Sequence, residues 1–550
     1  MNGQPCVAQG DNFLLPSLGP KIDLESALRF CEMKADSDIM EIEVNDANER
    51  HLRTDHLLAN LKERTISSGT VTLFSQAIIF VLTLVSTMIL ARLLAPRDFG
   101  LIAMVSTVTA FVGILKDAGL STATMQREGI THAQVSNLFW INLGVSIGMG
   151  LVVACLTPVL AWFYKEPKLI GLALALSTTF PLNGSTVQHQ ALLSRQMRFK
   201  ALALIQVGSL TVGILTGVLM ALLGSGYWSL AGLNIAQAIS NVVITWGVCR
   251  WRPQLPVRHC GTRSLLNFGV NMTGANLVRC LTQNMDSLLI GRFYGAAGVG
   301  LYSRAVALLQ RPLNQFMSPL TTVFEPALAR LQYDSERYRR TFLQAYNVTA
   351  LAGVTGAGLV LPLAHPITLV LLGQKWEKTA AIFAGFSFAA LYIPLVNTAG
   401  WLFISQGRAK DWLIVSSVCG IISILGICVG LHFGPAGVAM AWSLSGLFLG
   451  LPYFYYQAGR QGPVRTMDLW LGFFRHLPVW LVVFGTTWIT YRAMKDSNDL
   501  IQLLVCVPVG LFAAGFITYL LPYTRESVLF VIRTATERVA HRKVNVAPLA

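Results

Sequence analysis

Four ionisable side chains stand inside apolar runs where hydrocarbon should exclude them. Arg279 and Asp286 interrupt one run, and Arg304 and Arg311 interrupt the next. Each pair is seven residues apart, so on a helix each pair shares one face. Charge at that depth is costly, and such residues turn towards a partner or a water-filled cavity. At 1.5 Å per residue, Arg279 lies roughly 21 Å from one membrane face and Asp286 roughly 31 Å from it. Arg304 and Arg311 lie roughly 9 Å and roughly 20 Å from the opposite face. Asp286 and Arg304 thus share one third of the membrane and could pair. Arg279 and Arg311 sit nearer the midplane with no acid at their depth in either run. Snorkelling or a structural ion pair would explain such charges without function. The sharper reading is a cationic cavity that receives an anion, and phosphate matches the arginine fork best.

Weaker candidates surround this group. Lys116 and Asp117 are adjacent opposite charges at the end of an apolar run, which suits an interfacial pair or a coupling site. Glu325 is similarly ambiguous. Asn234, Gln237 and Asn241 recur at helical spacing on one face, which suits a hydrophilic cavity or hydrogen bonds between helices. Gln206 is another polar residue in an apolar run. His365 lies between Pro362 and Pro366. Its pKa range would suit proton coupling, and a structural role at a helix break is the plainer reading.

The elements that must carry these residues are membrane helices. Of 550 residues, 53% are hydrophobic and 13% charged, and mean hydropathy is +0.55. Soluble domains carry about 25% charged residues. Breaks in the apolar runs give fourteen candidate spans between residues 69 and 522. The fourth is broken by Pro181 and Gly184, and the eighth by Arg304, Arg311, Pro312 and Pro319. With the N-terminus inside, the inner loops hold 18 Lys and Arg and the outer loops 9. That bias places both termini in the cytoplasm. The net charge of +15 is spread over short loops, which excludes a nucleic-acid partner. Nine cysteines form no CxxC, and Cys155, Cys280, Cys419, Cys428 and Cys506 read as buried free thiols.

Part of the chain is written twice. ARLLAPRDFGL at Ala91–Leu101 returns as GRFYGAAGVGL at Gly291–Leu301, matching Arg92 with Arg292 and Gly100 with Gly300. QMRFK at Gln196–Lys200 returns as QGRAK at Gln406–Lys410. The offsets, 200 and 210, are nearly equal. Six spans separate the copies, so both face the same way, as in a parallel repeat about the membrane normal. The expected fold is all-α and polytopic, with about fourteen transmembrane helices in two six-helix lobes plus two extra helices. Its segments are a polar N-terminal tail (1–64), an N-lobe (65–250), a C-lobe (251–460), two appended spans (461–522) and a basic C-terminal tail (523–550). The first of these holds twelve acidic and seven basic residues. No cleavable signal peptide opens it, and Met33 or Met40 would serve as alternative starts.

No GxxxxGK[ST] phosphate loop occurs, and no metal cluster, Ser–His–Asp set or dinucleotide loop stands out. No cofactor is expected. The outer loops are too short to house a polymerase or ligase site. A carrier that does not hydrolyse ATP itself remains.

Several segments resemble a known family: LKERTISSGTVTLFSQ, ILARLLAPRDFGLIAMV, LLSRQMRFKALA and NMDSLLIGRFYGAAGVGLYSRA. They are similar to Wzx/WzxC-like lipopolysaccharide biosynthesis proteins of the multidrug/oligosaccharidyl-lipid/polysaccharide flippase superfamily. The likeness covers about Leu61–Tyr523. The polar tail departs from the family pattern, which begins close to the first span. The resemblance implies two lobes around a central cavity with alternating access. It implies a lipid-linked oligosaccharide on undecaprenyl diphosphate as cargo, moved across the bacterial cytoplasmic (inner) membrane. Membrane lipid and other glycan-assembly proteins would be its partners. Family cavities are typically cationic, a character Arg279, Arg304 and Arg311 would supply. The competing reading is a cation-coupled drug or metabolite antiporter on the same fold, which should place acids in the N-lobe cavity.

Overall fold

The computed structural model describes residues 61–117, 124, 130–256 and 263–525, with residues 61–68, 111–117 and 263–283 described by backbone alone. The described residues hold helices and no strand. The first eight helices are α1 (Leu61–Leu93), α2 (Pro96–Asp117), α3 (His132–Tyr164), α4 (Lys168–Ser177), α5 (Thr179–Gly184), α6 (Val187–Arg195), α7 (Phe199–Leu222) and α8 (Trp228–Val248). Then come α9 (Arg263–Arg330), α10 (Ser335–Leu372), α11 (Glu377–Gly385), α12 (Ser387–Ser405) and α13 (Ala409–Gly430). The last are α14 (Gly434–Ser445), α15 (Leu451–Gly459), α16 (Thr466–Ala493) and α17 (Asp499–Leu520).

Nine helical stretches among the described residues are long and apolar enough to cross a membrane. One of them, Ala409–Gly459, contains two of the expected spans, joined by a 3-10 turn at Leu431–Phe433, and the second carries a π-helical step at Gly446–Gly450. The second, fourth, seventh and eighth expected spans are helical as well, in α2, in α4–α6 and in the two arms of α9. This is a multi-pass membrane protein. Large apolar side chains such as Leu204, Leu215 and Leu222 on α7 are more than half exposed, as suits a surface solvated by lipid.

Two boundaries differ from expectation. The fourth span breaks at Thr178 and again at Ser185–Thr186, on either side of Pro181 and Gly184. The eighth is not broken: Pro312, Pro319 and Pro326 all lie inside α9. A proline removes one backbone donor, and packing against neighbouring helices lets a membrane helix absorb that loss. The reversal in α9 falls instead at Gly295, with φ 68° and ψ −173°. One cysteine expectation is also corrected: all five described cysteines are free, but Cys155 and Cys428 are exposed rather than buried, facing outward from their helices.

The QMRFK and QGRAK turns share backbone geometry. Arg198 N donates to Leu193 O at 2.9 Å, and Arg408 N to Phe403 O at 2.8 Å. The middle residue is left-handed in both copies, Met197 at φ 54° and Gly407 at φ 69°. Glycine accepts that conformation without penalty, whereas a side chain costs about 1–2 kcal/mol there. The chain next reverses at Gly224 (φ 77°) and at Gly434 (φ 80°). In the other repeated turn, the break between α1 and α2 at Leu94–Ala95 corresponds to Gly295.

Helices α1–α8 pack on one another, and α9–α15 form a second group. α16 and α17 pack against α10. The two groups meet most extensively where α2 crosses α9. A Cβ at Gly100 would run into the carbonyl of Ala296, and a Cβ at Gly300 into that of Pro96. The repeated glycines therefore face each other, and backbone touches backbone. Beside them, Arg92 Nη2 donates to Val370 O at 3.0 Å, Lys375 Nζ to Arg92 O at 3.1 Å, and Trp376 Nε1 to Ala91 O at 2.8 Å. The lobes are thus latched at the end that carries the Arg92 and Arg292 turns.

Candidate functional site

Just below the latch, a cavity of about 520 Å³ opens between the lobes. Arg304 and Arg311 both line it, as their seven-residue spacing on α9 requires. Arg304 lies over the Phe99 ring at 4.8 Å, and its Nε is buried without a hydrogen-bond partner. The π face offers a cation about 0.5–2 kcal/mol but satisfies no N–H donor. Arg311 Nη1 donates to Thr87 Oγ1 across the lobe boundary at 2.8 Å. Thr83, Ser86 and Thr87 of α1, Ser106 of α2 and Asn234 of α8 complete the polar wall. No acid lines this cavity among the described residues. Two guanidinium groups at one neutral hydroxyl-rich surface can hold a dianion with charge-assisted bonds.

The Asp286–Arg304 pair that their shared depth allows does not form. Asp286 Oδ2 accepts from the fully buried Tyr302 hydroxyl at 2.9 Å, and its Oδ1 from Ser287 N at 2.6 Å. It faces a different cavity, of about 610 Å³, inside the C-lobe, with Asn314, Asn397, Ser416 and Ser423. The reason is helical phase: Tyr302 and Arg304 are two residues apart, so they leave α9 on nearly opposite sides. Equal depth did not mean equal direction. Asn284 lines both cavities and marks the wall between them.

Asn234, Gln237 and Asn241 do share one face of α8 and line a third cavity of about 220 Å³ with Thr179 and Asn183. A fourth, of about 350 Å³, is lined by Ser106, Thr109, Asn183 and Asn234. The side chains of Arg279, Lys116 and Asp117 lie outside the described residues, as does that of Cys280. His365 Nε2 stands 3.9 Å from Glu377 Oε1 at the α10–α11 turn, half exposed and away from every cavity named above. Gln206 is exposed and Glu325 partly buried, and neither lines these cavities. No group of three metal-binding side chains occurs among the described residues.

Phe99, Tyr302, Ser106 and Asn183 escaped the sequence reading. Tyr302 had a usable signal, being one helix face away from the arginines in the same run. Asn183 had another, an amide between Pro181 and Gly184 at a helix break. Phe99 had none, because its contact with Arg304 joins residues about 200 positions apart.

The sequence profile of the family described as polysaccharide biosynthesis protein matches residues 89–381. Lipopolysaccharide biosynthesis protein WzxC of Escherichia coli (strain K12) is 23% identical over 437 residues, 78% of this chain and 88% of its own length. Succinoglycan biosynthesis transport protein ExoT of Rhizobium meliloti (strain 1021) is 28% identical, covering 69% of this chain and 78% of its own. Teichuronic acid biosynthesis protein TuaB of Bacillus subtilis (strain 168) is 26% identical, covering 64% and 73%. Among solved structures, the lipid II flippase MurJ in an inward closed conformation superposes with a TM-score of 0.63 at 14% identity, covering 82% of this chain and 99% of that one. An inward-facing multidrug resistance MATE transporter of the MOP superfamily gives a TM-score of 0.53 at 13% identity, covering 72% and 95%. These two likenesses establish a shared helical fold. With more than half its length matched by the family profile, the chain belongs to the polysaccharide biosynthesis protein family, built on the fold of the MOP superfamily.

Proposed function

We propose that this chain is a flippase for an undecaprenyl-diphosphate-linked oligosaccharide, moving it across the bacterial cytoplasmic membrane by alternating access. The observation that carries the reading is the cavity between the lobes, with Arg304 and Arg311 on one of its walls and no acid among its described lining residues. A diphosphate is the part of such a lipid that needs two cationic forks, and the guanidinium geometry suits it. Arg279, whose side chain lies outside the described residues, is a further candidate cation from its position inside the same apolar run.

The excess of basic residues in the alternate loops supports cytoplasmic termini. The latch at Gly100, Gly300 and Trp376 then faces the periplasm, and this state is the one that takes cargo from the cytoplasmic leaflet. Lys116 with Asp117, and Asp286 in its C-lobe cavity, are the candidates for coupling or structural charge. Glycosyltransferases and polymerases that make and consume the lipid-linked unit are the proteins with which the chain would work. A drug or metabolite antiporter would carry acids on the N-lobe side of the cavity. The N-lobe side chains that line the cavities among the described residues are uncharged, so the flippase reading is the better supported.

Arg304→Ala and Arg311→Ala should each abolish surface polysaccharide while the protein stays in the membrane at its usual level. The lipid-linked oligosaccharide should accumulate on the cytoplasmic side. Unchanged export from both variants would refute the cationic site.

A further inference from the structure

The polar N-lobe side chains among the described residues that line the cavities are amides and hydroxyls without charge, set among apolar neighbours, and they form a track. Asn234 belongs to three cavities at once: the 520 Å³ arginine cavity, the 350 Å³ cavity beside α5 and the 220 Å³ cavity beside α8. Ser106 joins the first two, and Asn183 and Thr179 the last two. Among the described residues, no charged side chain lines the two smaller cavities.

The amides on this track are not used up by the protein. Among the described residues, the Asn183 and Gln237 side chains, which line these cavities, make no hydrogen bond. Asn234 Nδ2 donates to Leu230 O at 2.8 Å, which leaves its Oδ1 free to accept. Asn241 Oδ1 accepts from Gln190 Nε2 at 2.9 Å, which leaves its own Nδ2 free to donate. An interhelical hydrogen-bond role, the plainer reading of this set, therefore fits Asn241 alone. Asn234, Gln237 and Asn241 span seven residues, about 10 Å along the helix axis.

We propose that this track is a subsite for the sugar rings next to the diphosphate, read through their hydroxyls. A sugar hydroxyl both donates and accepts, as an amide pair does, and it needs no countercharge. An anion would find no cation among the described residues of the track, and a lipid tail would leave the amides unpaired. Position agrees with chemistry: the first sugar is bonded directly to the phosphate, so its subsite must adjoin the arginines, and Asn234 is the residue common to both. The C-lobe thus holds the charge that every such cargo shares, and the N-lobe holds the groups that differ between glycans. The proposal rests on the flippase reading and adds to it where selectivity resides.

The test uses the full chain in lipid nanodiscs and two probes. One is undecaprenyl diphosphate without sugar. The other is the undecaprenyl-diphosphate-linked oligosaccharide extracted from cells that lack this chain. The unmodified chain should bind the second probe at least about tenfold more tightly, as expected when two or three neutral hydrogen bonds are added. In the Asn183→Leu, Gln237→Leu double variant that preference should fall to within about twofold, with affinity for the bare lipid unchanged. The retained bare-lipid affinity reports a folded arginine cavity. Asn183→Ser with Gln237→Ser, smaller and still polar, should give an intermediate preference. A double variant that keeps the tenfold preference, or an unmodified chain that shows none, overturns the sugar subsite while leaving the flippase reading intact. Binding of neither probe by the unmodified chain overturns both.

Discussion

The two copies of the repeat hold nearly the same backbone and opposite kinds of wall. At one position in each copy, Met104 is fully buried with its Cε towards Gly291 of the other lobe, whereas Arg304 faces the cavity over Phe99. At another, Ser86 lines the arginine cavity, whereas Asp286 turns into the C-lobe and binds Tyr302. One repeated turn is left-handed in both copies, at Met197 and Gly407, and the other is left-handed at Gly295 but not at Ala95. The difference teaches that a duplicated scaffold fixes where side chains emerge, and that chemistry is then placed on one copy alone. Pseudosymmetric backbone with asymmetric charge gives a cavity that has one cationic wall and one neutral wall.

Erasing the asymmetry should have the largest effect. Arg304→Met installs the residue of the first copy and should lower export of surface polysaccharide by more than about 100-fold, since charge-assisted bonds are worth about 1.5–3 kcal/mol each and Arg304 is assigned more than one. Immunodetection of surface glycan against an unchanged membrane level of the protein measures it. Next comes the contact on which the copies agree. Gly100→Ala and Gly300→Ala each drive a methyl group into the opposite backbone, so the latch must part. A cysteine placed at Thr87 in a background without other cysteines should then label faster with an impermeant thiol reagent, about tenfold, and export should fall. Gly144→Ala on α3, where an added Cβ meets nothing within 4 Å, should change neither.

Asp286→Ser, again the residue of the first copy, leaves the buried Tyr302 hydroxyl without its acceptor. Unfolding in detergent should show a loss of about 1–3 kcal/mol, and Asp286→Asn, which can still accept, should lose less. The smallest effect belongs to the left-handed turn. Gly407→Ala meets no atom, so only the backbone conformation opposes it, and the cost should be about 1 kcal/mol. A wild-type melting curve for that variant would mean that the turn tolerates a side chain as well as the Met197 copy does.

Much of this was legible along the chain. The seven-residue spacing of Arg304 and Arg311 predicted a shared face, and both line one cavity. Asn234, Gln237 and Asn241 did the same on α8. The repeated glycines announced a turn, though not that the two turns would touch. What stayed hidden was direction across a helix and contact across the lobes. Depth along α9 suggested an Asp286–Arg304 pair, and helical phase sent the two side chains into separate cavities. The prolines in the second arm of α9 looked like interruptions because the sequence shows the lost donor but not the packing that compensates for it.

By itself the sequence determined a polytopic helical protein, its internal repeat and the placing of its charge in the second copy. Those properties are local or periodic: hydropathy over some twenty residues, spacing at 3.6 per turn, identity at a constant offset. The tertiary structure decided which charges share a cavity, that Arg304 rests on Phe99 rather than on Asp286, and that Gly100 and Gly300 close one end. These depend on how two lobes pack face to face, and that packing brings together residues some 200 positions apart that no local pattern relates.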